Sequence, residues 1–197
     1  GQGRDKLAAG GVSVQYGLCE EEAASGLSGF LALRRFSRPY LTSKIATSAD
    51  GFIAAEIGKQ TWLTNDVSRV YVHNLRSRAD AVLTGIETIL IDNPELTCRL
   101  PGWKESSPVR IIFDSHLRLR SNSKVAQTIA AGPLVVLCSK AANAQDQTKL
   151  EKCGIEVVRL DQNADGIELS AALQWCAKRD LSSLLLEAGT QLNHSFY

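Results

Sequence analysis

Methionine is absent from the chain, histidine is rare, and neither sign of charge dominates. The 22 basic and 21 acidic residues leave a formal net charge of +1. A general nucleic-acid or membrane-surface binder carries a basic excess, so this balance argues against both classes. No run approaches the about 18 apolar residues that span a bilayer. No basic, apolar leader opens the chain. Cys19, Cys98, Cys138, Cys153 and Cys176 are odd in number and never spaced as CxxC. That pattern argues against a zinc knuckle or a disulfide framework and for reduced thiols in a cytoplasm. His73, His116 and His194 have no ligand spacing and no neighbouring cysteine, so no metal is expected. No GxGxxG follows a strand, since Gly1-Gln2-Gly3 is too short and in the wrong place. Internal repeats and low-complexity tracts are also lacking.

What is present is ordinary globular composition, 44% apolar and 22% charged over 197 residues. That length buries a core without staples. A chain of this size should carry a few methionines and an initiator, and this one opens on glycine. A window onto a longer protein is therefore expected.

The order of elements is legible from periodicity and punctuation. Lys6-Leu7-Ala8-Ala9 stops at Gly10-Gly11 as a helix. Val12-Ser13-Val14-Gln15-Tyr16 alternates at period two and reads as a short strand. Residues 20–36 read as one helix, acidic in its first turn and ending on Arg34-Arg35. Ser37-Arg38-Pro39 breaks it, and a domain boundary is placed there. Strands and helices then alternate. Strands are expected at 40–46, 81–85, 109–113, 133–138, 155–160 and 183–186. Helices are expected from the Thr64-Asn65-Asp66 cap to about residue 78, at 145–152, at 168–179 and after Glu187-Ala188-Gly189. Near-continuous apolar strands between helices imply an α/β fold, a mostly parallel sheet covered on both faces.

Ligands of such sheets bind where strands exit into helices. That rule selects the loops after Ala46, Gly85, Phe113 and Leu186. At Glu187-Ala188-Gly189-Thr190, free amides and a glycine suit a phosphate, and a plain helix cap beside a solvated glutamate explains the same residues. On the helix after Thr64, Val67, Val70, Tyr71 and Leu75 form the expected core face. Arg69, His73 and Arg76 form the other face, which is either solvated or an anion site; Arg99 offers a second planar fork for phosphate. Asp50, Asp92, Asp114 and Glu187 lie near strand exits, with turn-stabilising roles foremost for Asp50 and Asp114. Trp62, Trp103 and Trp175 read as packing residues, and Trp62 could also line a cleft.

At these loops the sequence resembles the reductase domain of the bifunctional riboflavin-biosynthesis deaminase/reductase family. Arg38-Pro39-Tyr40 leads into Lys44-Ile45-Ala46-Thr47-Ser48-Ala49-Asp50-Gly51, similar to the family's opening strand and Ser-x-Asp-Gly turn. Trp62-Leu63-Thr64, Leu75-Arg76 and Ala79-Asp80-Ala81-Val82-Leu83 follow. Thr88, Asp92, Asn93-Pro94, Leu96-Thr97 and Arg99 resemble the family's most specific block. Val109 to Ser115 resembles its next strand, and Leu186-Glu187-Ala188-Gly189 its glycine-rich turn.

The resemblance implies a dihydrofolate-reductase-like fold over 39–197, with residues 1–38 the tail of a preceding deaminase domain and the final strands missing. It implies NADPH as hydride donor and reduction of 5-amino-6-(5-phosphoribosylamino)uracil to the ribitylamino product. By position, Lys44, Asp92 and Glu187 are implied at the reaction centre. Ala46, Trp62, Thr88, Asp92, Ser115, Gly189, Thr190 and Gln191 are implied as cofactor contacts. Gln60, Arg76, Leu96, Arg99 and Glu187 are implied as substrate contacts. Gln60 stands where many members have a small hydroxyl residue, and Ala188 replaces the first glycine of the commoner turn. Zinc belongs only to the deaminase part, whose HxE and PCxxC signature is absent here. A cytoplasmic homo-oligomer without nucleic-acid or membrane partners is expected. Two alternatives stand beside this one: a pteridine reductase of the same fold, and a non-catalytic nucleotide-binding or dimerisation module.

Overall fold

A computed structural model of the chain describes residues 2–53, 63–103, 105, 107–164 and 166–196. Gln60 and Trp62 lie outside the described residues.

The apolar runs that carry little but Val, Ile and Leu become the middle of one parallel sheet. β1 (Tyr40–Ser43), β2 (Ala81–Gly85), β3 (Val109–Phe113), β4 (Leu134–Ser139), β5 (Glu156–Leu160) and β8 (Ser183–Leu186) make a six-stranded sheet in the order β1-β8-β2-β3-β4-β5. Every pairing in it is parallel. A two-residue antiparallel pair, β6 (Gln162–Asn163) and β7 (Gly166–Ile167), stands apart from it.

Helices cover both faces. α4 (Asp66–Ser77), α5 (Ile86–Asp92), α6 (Lys124–Gln127), α7 (Ala144–Lys152) and α8 (Leu169–Lys178) intervene between the strands, and α9 (Thr190–Ser195) follows β8. The side-chain alternation of a strand splits the core in two. Val82, Ile112, Val136 and Leu185 pack on one face with Ile86, Ile89, Leu96 and Leu150. Leu83, Ile111, Leu137 and Leu186 pack on the other with Ala172 and Cys176. Each such fully buried side chain contributes about 1.5–3 kcal/mol relative to exposure.

Several expectations are corrected. Residues 12–16 form no strand. They are not paired with any strand of the described residues, and Tyr16 is exposed. The helix expected over 20–36 is two, α2 (Glu20–Gly26) and α3 (Ser28–Phe36), after an isolated α1 (Gln2–Ala9). Gly26 lowers helix propensity at the break. Leu27 closes the first helix through its N–H to Ala24 and Ser25. α3 packs against the sheet edge so closely that a Cβ on Gly29 would stand 2.9 Å from the Ser182 carbonyl oxygen. β1 ends at Ser43 rather than residue 46, although the Lys44 N–H still donates to Leu186 O.

The buried face of α4 is shifted from the expected one, although Leu75 keeps its core place and Arg69 stays exposed. Val67, Val70 and Tyr71, the expected core side, are exposed, whereas Arg76 is 8% exposed and Leu75 alone of the apolar set packs on the core. The side chains of Arg76 and His73 instead reach polar partners beneath the helix. α5, unassigned from sequence, follows β2 directly. Asp92 is its last residue.

Candidate functional site

Four strands exit side by side. β1, β8, β2 and β3 are neighbours and parallel, so the loops after Ser43, Leu186, Gly85 and Phe113 open at one edge of the sheet. These are the four loops selected from sequence, with the first displaced to the new end of β1.

Glu187 is fixed on three sides. Its N–H donates to Leu83 O, and its carbonyl accepts from Thr84 Oγ1 at 2.7 Å. Its carboxylate takes a bidentate pair from Arg76, Nε to Oε1 at 2.6 Å and Nη2 to Oε2 at 2.9 Å. Both side chains are only 10% exposed. Such a fork-to-fork pair fixes orientation as well as charge. Arg76 also donates from Nη1 to Thr97 O at 3.0 Å. Arg76 is therefore no free phosphate fork. It is a pin between α4, the turn after β8 and the segment after α5.

That segment, residues 94–99, is a strap held at successive backbone groups. Arg110 Nη1 donates to Glu95 O at 3.2 Å, Arg76 holds Thr97 O, Ser107 Oγ accepts Cys98 N–H at 2.9 Å, and His73 Nδ1 accepts Arg99 N–H at 3.2 Å. Leu96 sits in it at φ 57°, a left-handed conformation that costs a branched residue energy and persists only where neighbours over-determine it. Leu96, Thr97 and Cys98 are buried, and Arg99 projects outward with its side chain 52% exposed. Arg99 donates to Glu95 Oε2 at 2.6 Å and Thr97 Oγ1 at 2.9 Å, which aims its guanidinium while leaving part of it to solvent. Of the two arginines implied as substrate contacts, Arg99 presents the accessible cation.

His73 is neutral at its Nδ1, because that atom accepts a backbone proton. Burial, then Arg76 and Arg99, push its pKa down, against a hydrogen bond at Thr97 and the Glu187 charge. Burial pushes the Asp92 carboxyl up.

The turn after β8 is braced from α9. Asn193 Nδ2 donates to Gly189 O at 3.1 Å, and Ser43 Oγ donates to Asn193 Oδ1 at 2.6 Å. Gly189, Thr190 and Gln191 are exposed, and a Cβ built on Gly189 meets nothing within 4 Å. There is open room for a ligand against this backbone. Lys44, Ala46, Thr88 and Ser115 are each partly exposed at or after the neighbouring strand exits. The turn roles expected of Asp50 and Asp114 are seen: Ser48 Oγ donates to Asp50 Oδ1, and Leu119 N–H donates to Asp114 Oδ2 at 2.8 Å. Trp175 packs on the core with Arg179 over its ring at 4.3 Å. Among the described residues no group of three or more His, Cys, Asp or Glu could hold a metal. No helix of the described residues is long and apolar enough to cross a membrane.

Two site-building residues were missed from sequence. Arg110 is a lone cation inside Val109-Arg110-Ile111-Ile112-Phe113, and a charge in a strand buried on both faces must have partners. Asn193 gave no comparable signal; its role depends on the meeting of α9 with β1.

Known proteins share this architecture. The riboflavin biosynthesis protein RibD of Aquifex aeolicus is 35% identical over 196 residues, covering 100% of this chain and 53% of its own length. That of Actinobacillus pleuropneumoniae is 33% identical, covering 99% and 51%. The chain thus spans about half the length of the curated relatives it matches. Among solved structures, Acinetobacter baumannii RibD superposes with a TM-score of 0.84 at 28% identity, over 100% of this chain and 52% of that one. The Saccharomyces riboflavin biosynthesis reductase Rib7 shares the fold, with a TM-score of 0.65 at 20% identity over 89% of this chain and 76% of its own. The α/β sheet is thus the dihydrofolate-reductase-like one that the sequence implied. The family model for the RibD C-terminal domain matches residues 39–197, and the chain belongs to that family.

Proposed function

We propose that the protein reduces 5-amino-6-(5-phosphoribosylamino)uracil to its ribitylamino product with NADPH. The observation that carries this reading is the rigid strap bearing an accessible Arg99 beside the Arg76–Glu187 pair, at the edge where four parallel strands exit. The open backbone at Gly189 and the partly exposed Lys44, Ala46, Thr88 and Ser115 fit an extended dinucleotide. Thr190 and Gln191 would extend that contact.

NADPH, when bound, supplies the hydride. The sugar carbon bonded to nitrogen gains that hydride, its bond to the ring oxygen breaks, and the ring oxygen takes a proton. The residues do the rest. Arg99 holds the sugar phosphate as a planar fork. Leu96 shapes the strap beneath the substrate, and Gln60 is a further contact. Glu187, locked by Arg76, accepts hydrogen bonds from sugar hydroxyls in a fixed geometry. Lys44 and Asp92 flank the reacting carbon. Burial raises the Asp92 carboxyl, the direction a proton donor needs. A cytoplasmic setting and assembly with copies of itself belong to the same proposal.

The test is NADPH oxidation on addition of the phosphorylated aminouracil. Loss of nicotinamide absorbance supports the reading. NADPH binding without turnover would indicate a nucleotide-binding module. Charge reversal at Arg99 separates this substrate from a pteridine, because only a phosphorylated substrate should lose most of its binding.

A further inference from the structure

Arg110 is the largest fully buried side chain of the described residues, at 0% exposure, on the sheet face occupied by Ile112 and Leu96. No carboxylate pairs with it directly among the described residues; burial pushes its pKa down to about 10, and the nearby Glu95 charge opposes that. Its guanidinium instead meets a ring of acceptors. Nη1 donates toward Glu95 O at 3.2 Å, Val125 O at 3.1 Å and Thr128 Oγ1 at 2.8 Å. Nη2 donates to Thr128 O at 3.0 Å and to Gly132 O. Nε is buried without a partner among the described residues.

A buried cation without a directly paired carboxylate is expensive, and a methionine or leucine would fill the same space without that cost. A core needing only volume would not keep an arginine here. The acceptors divide into two groups. Val125, Thr128 and Gly132 belong to α6 and the turn that follows it, a connection between β3 and β4 remote from the strand exits. Glu95 belongs to the strap. The guanidinium thus bolts the strap's first turn to the sheet, one residue before the left-handed Leu96 and four before Arg99. The other strap anchors come from α4 and Ser107; Arg110 is the one rooted in a central strand.

We infer that Arg110 is a positioning residue: by holding the Glu95 carbonyl from within the sheet, it sets the strap conformation that keeps Leu96 buried beneath and offers Arg99 to substrate. This rests on the function proposed above for the strap. None of the proposed cofactor contacts lies in the strap, Thr88 and Asp92 belonging to α5 and the rest to other strand exits, so loss of Arg110 should weaken the phosphorylated substrate and spare the dinucleotide.

The test compares Arg110→Met and Arg110→Lys with the unaltered protein by two readouts. The first is amide hydrogen exchange, independent of activity. In Arg110→Met, exchange at Cys98 and Arg99 should speed about tenfold while β4 stays protected. The second is steady-state kinetics. KM for the aminouracil should rise about tenfold, with kcat and the NADPH KM within about twofold. Arg110→Lys keeps a donor and a cation in the cavity and should fall between. If Arg110→Met does not fold, Arg110→Lys decides: a raised aminouracil KM supports the inference, and unaltered KM and exchange overturn it. Unaltered strap exchange in a folded Arg110→Met, or equal losses for both substrates, would also overturn it. If the unaltered protein does not turn over, the proposed function fails while the exchange comparison still decides the anchoring.

Discussion

Arg76 and Arg99 have the same side chain and opposite duties. Arg76 is sealed against Glu187, so removing it leaves a nearly buried carboxylate without its partner. Arg76→Met should lower unfolding free energy by about 3 kcal/mol, the cost of breaking such a pair from one side. Arg99 is half exposed and pairs with a partly exposed Glu95. Arg99→Ala should cost under about 1 kcal/mol of stability, yet raise the KM for a phosphorylated substrate by about tenfold or more. Urea unfolding beside steady-state kinetics separates the two. Equal stability losses would contradict the assignment.

His73 adds a pH dependence whose sign is fixed by its surroundings. Its folded pKa is depressed below 6.5, chiefly by burial and then by Arg76 and Arg99. Below that value the unfolded chain takes up a proton that the folded chain resists, so stability falls as pH drops through this window. His73→Gln, which keeps an acceptor and cannot titrate, should flatten the stability curve between pH 7 and about 5.5. An unchanged slope would mean that His73 titrates normally when folded.

At the scale of elements, α4 is the most instructive. A hydrophobic stripe at helical spacing pointed to Val67, Val70, Tyr71 and Leu75 as core, yet three of the four are exposed. Periodicity ranks faces by apolar count and is blind to what an arginine finds after folding. Glu187 lies 111 residues from Arg76, so their pairing left no local trace. Leu75→Ala should cost about 2 kcal/mol and Tyr71→Ala within about 0.5. The reverse order in thermal unfolding would restore the orientation expected from sequence. The strands were legible because parallel strands buried on both faces are written as short Val/Ile/Leu runs bounded by turns. β2, β3 and β8 appear at the expected residues. α5 was not legible because it starts directly from Gly85 without a side-chain cap. The strand expected at 12–16 had the right alternation and, among the described residues, no strand to pair with.

At the scale of the whole molecule, strand order turns scattered residues into one place. Nothing local in the sequence brings Ser43, Gly85, Phe113 and Leu186 together; the order β1-β8-β2-β3 does. The general rule for parallel sheets selected the loops, and the topology supplies their adjacency. The site then depends on rigid supports beneath it, the Arg76–Glu187 pair on one side of the strap and Arg110 on the other. On the proposed reading, the Arg76–Glu187 support fixes the orientation of a reacting group and Arg110 sets the affinity for substrate.

The most direct measurement follows deuterium from NADPH labelled at the transferable position of its nicotinamide. Incubated with the phosphorylated aminouracil, the protein should yield a ribitylamino product carrying one deuterium on the former anomeric carbon, seen by mass spectrometry and proton NMR. Arg99→Ala should yield the same labelled product more slowly at low substrate. An unlabelled product, or bound NADPH with no product at saturating substrate, would contradict the account.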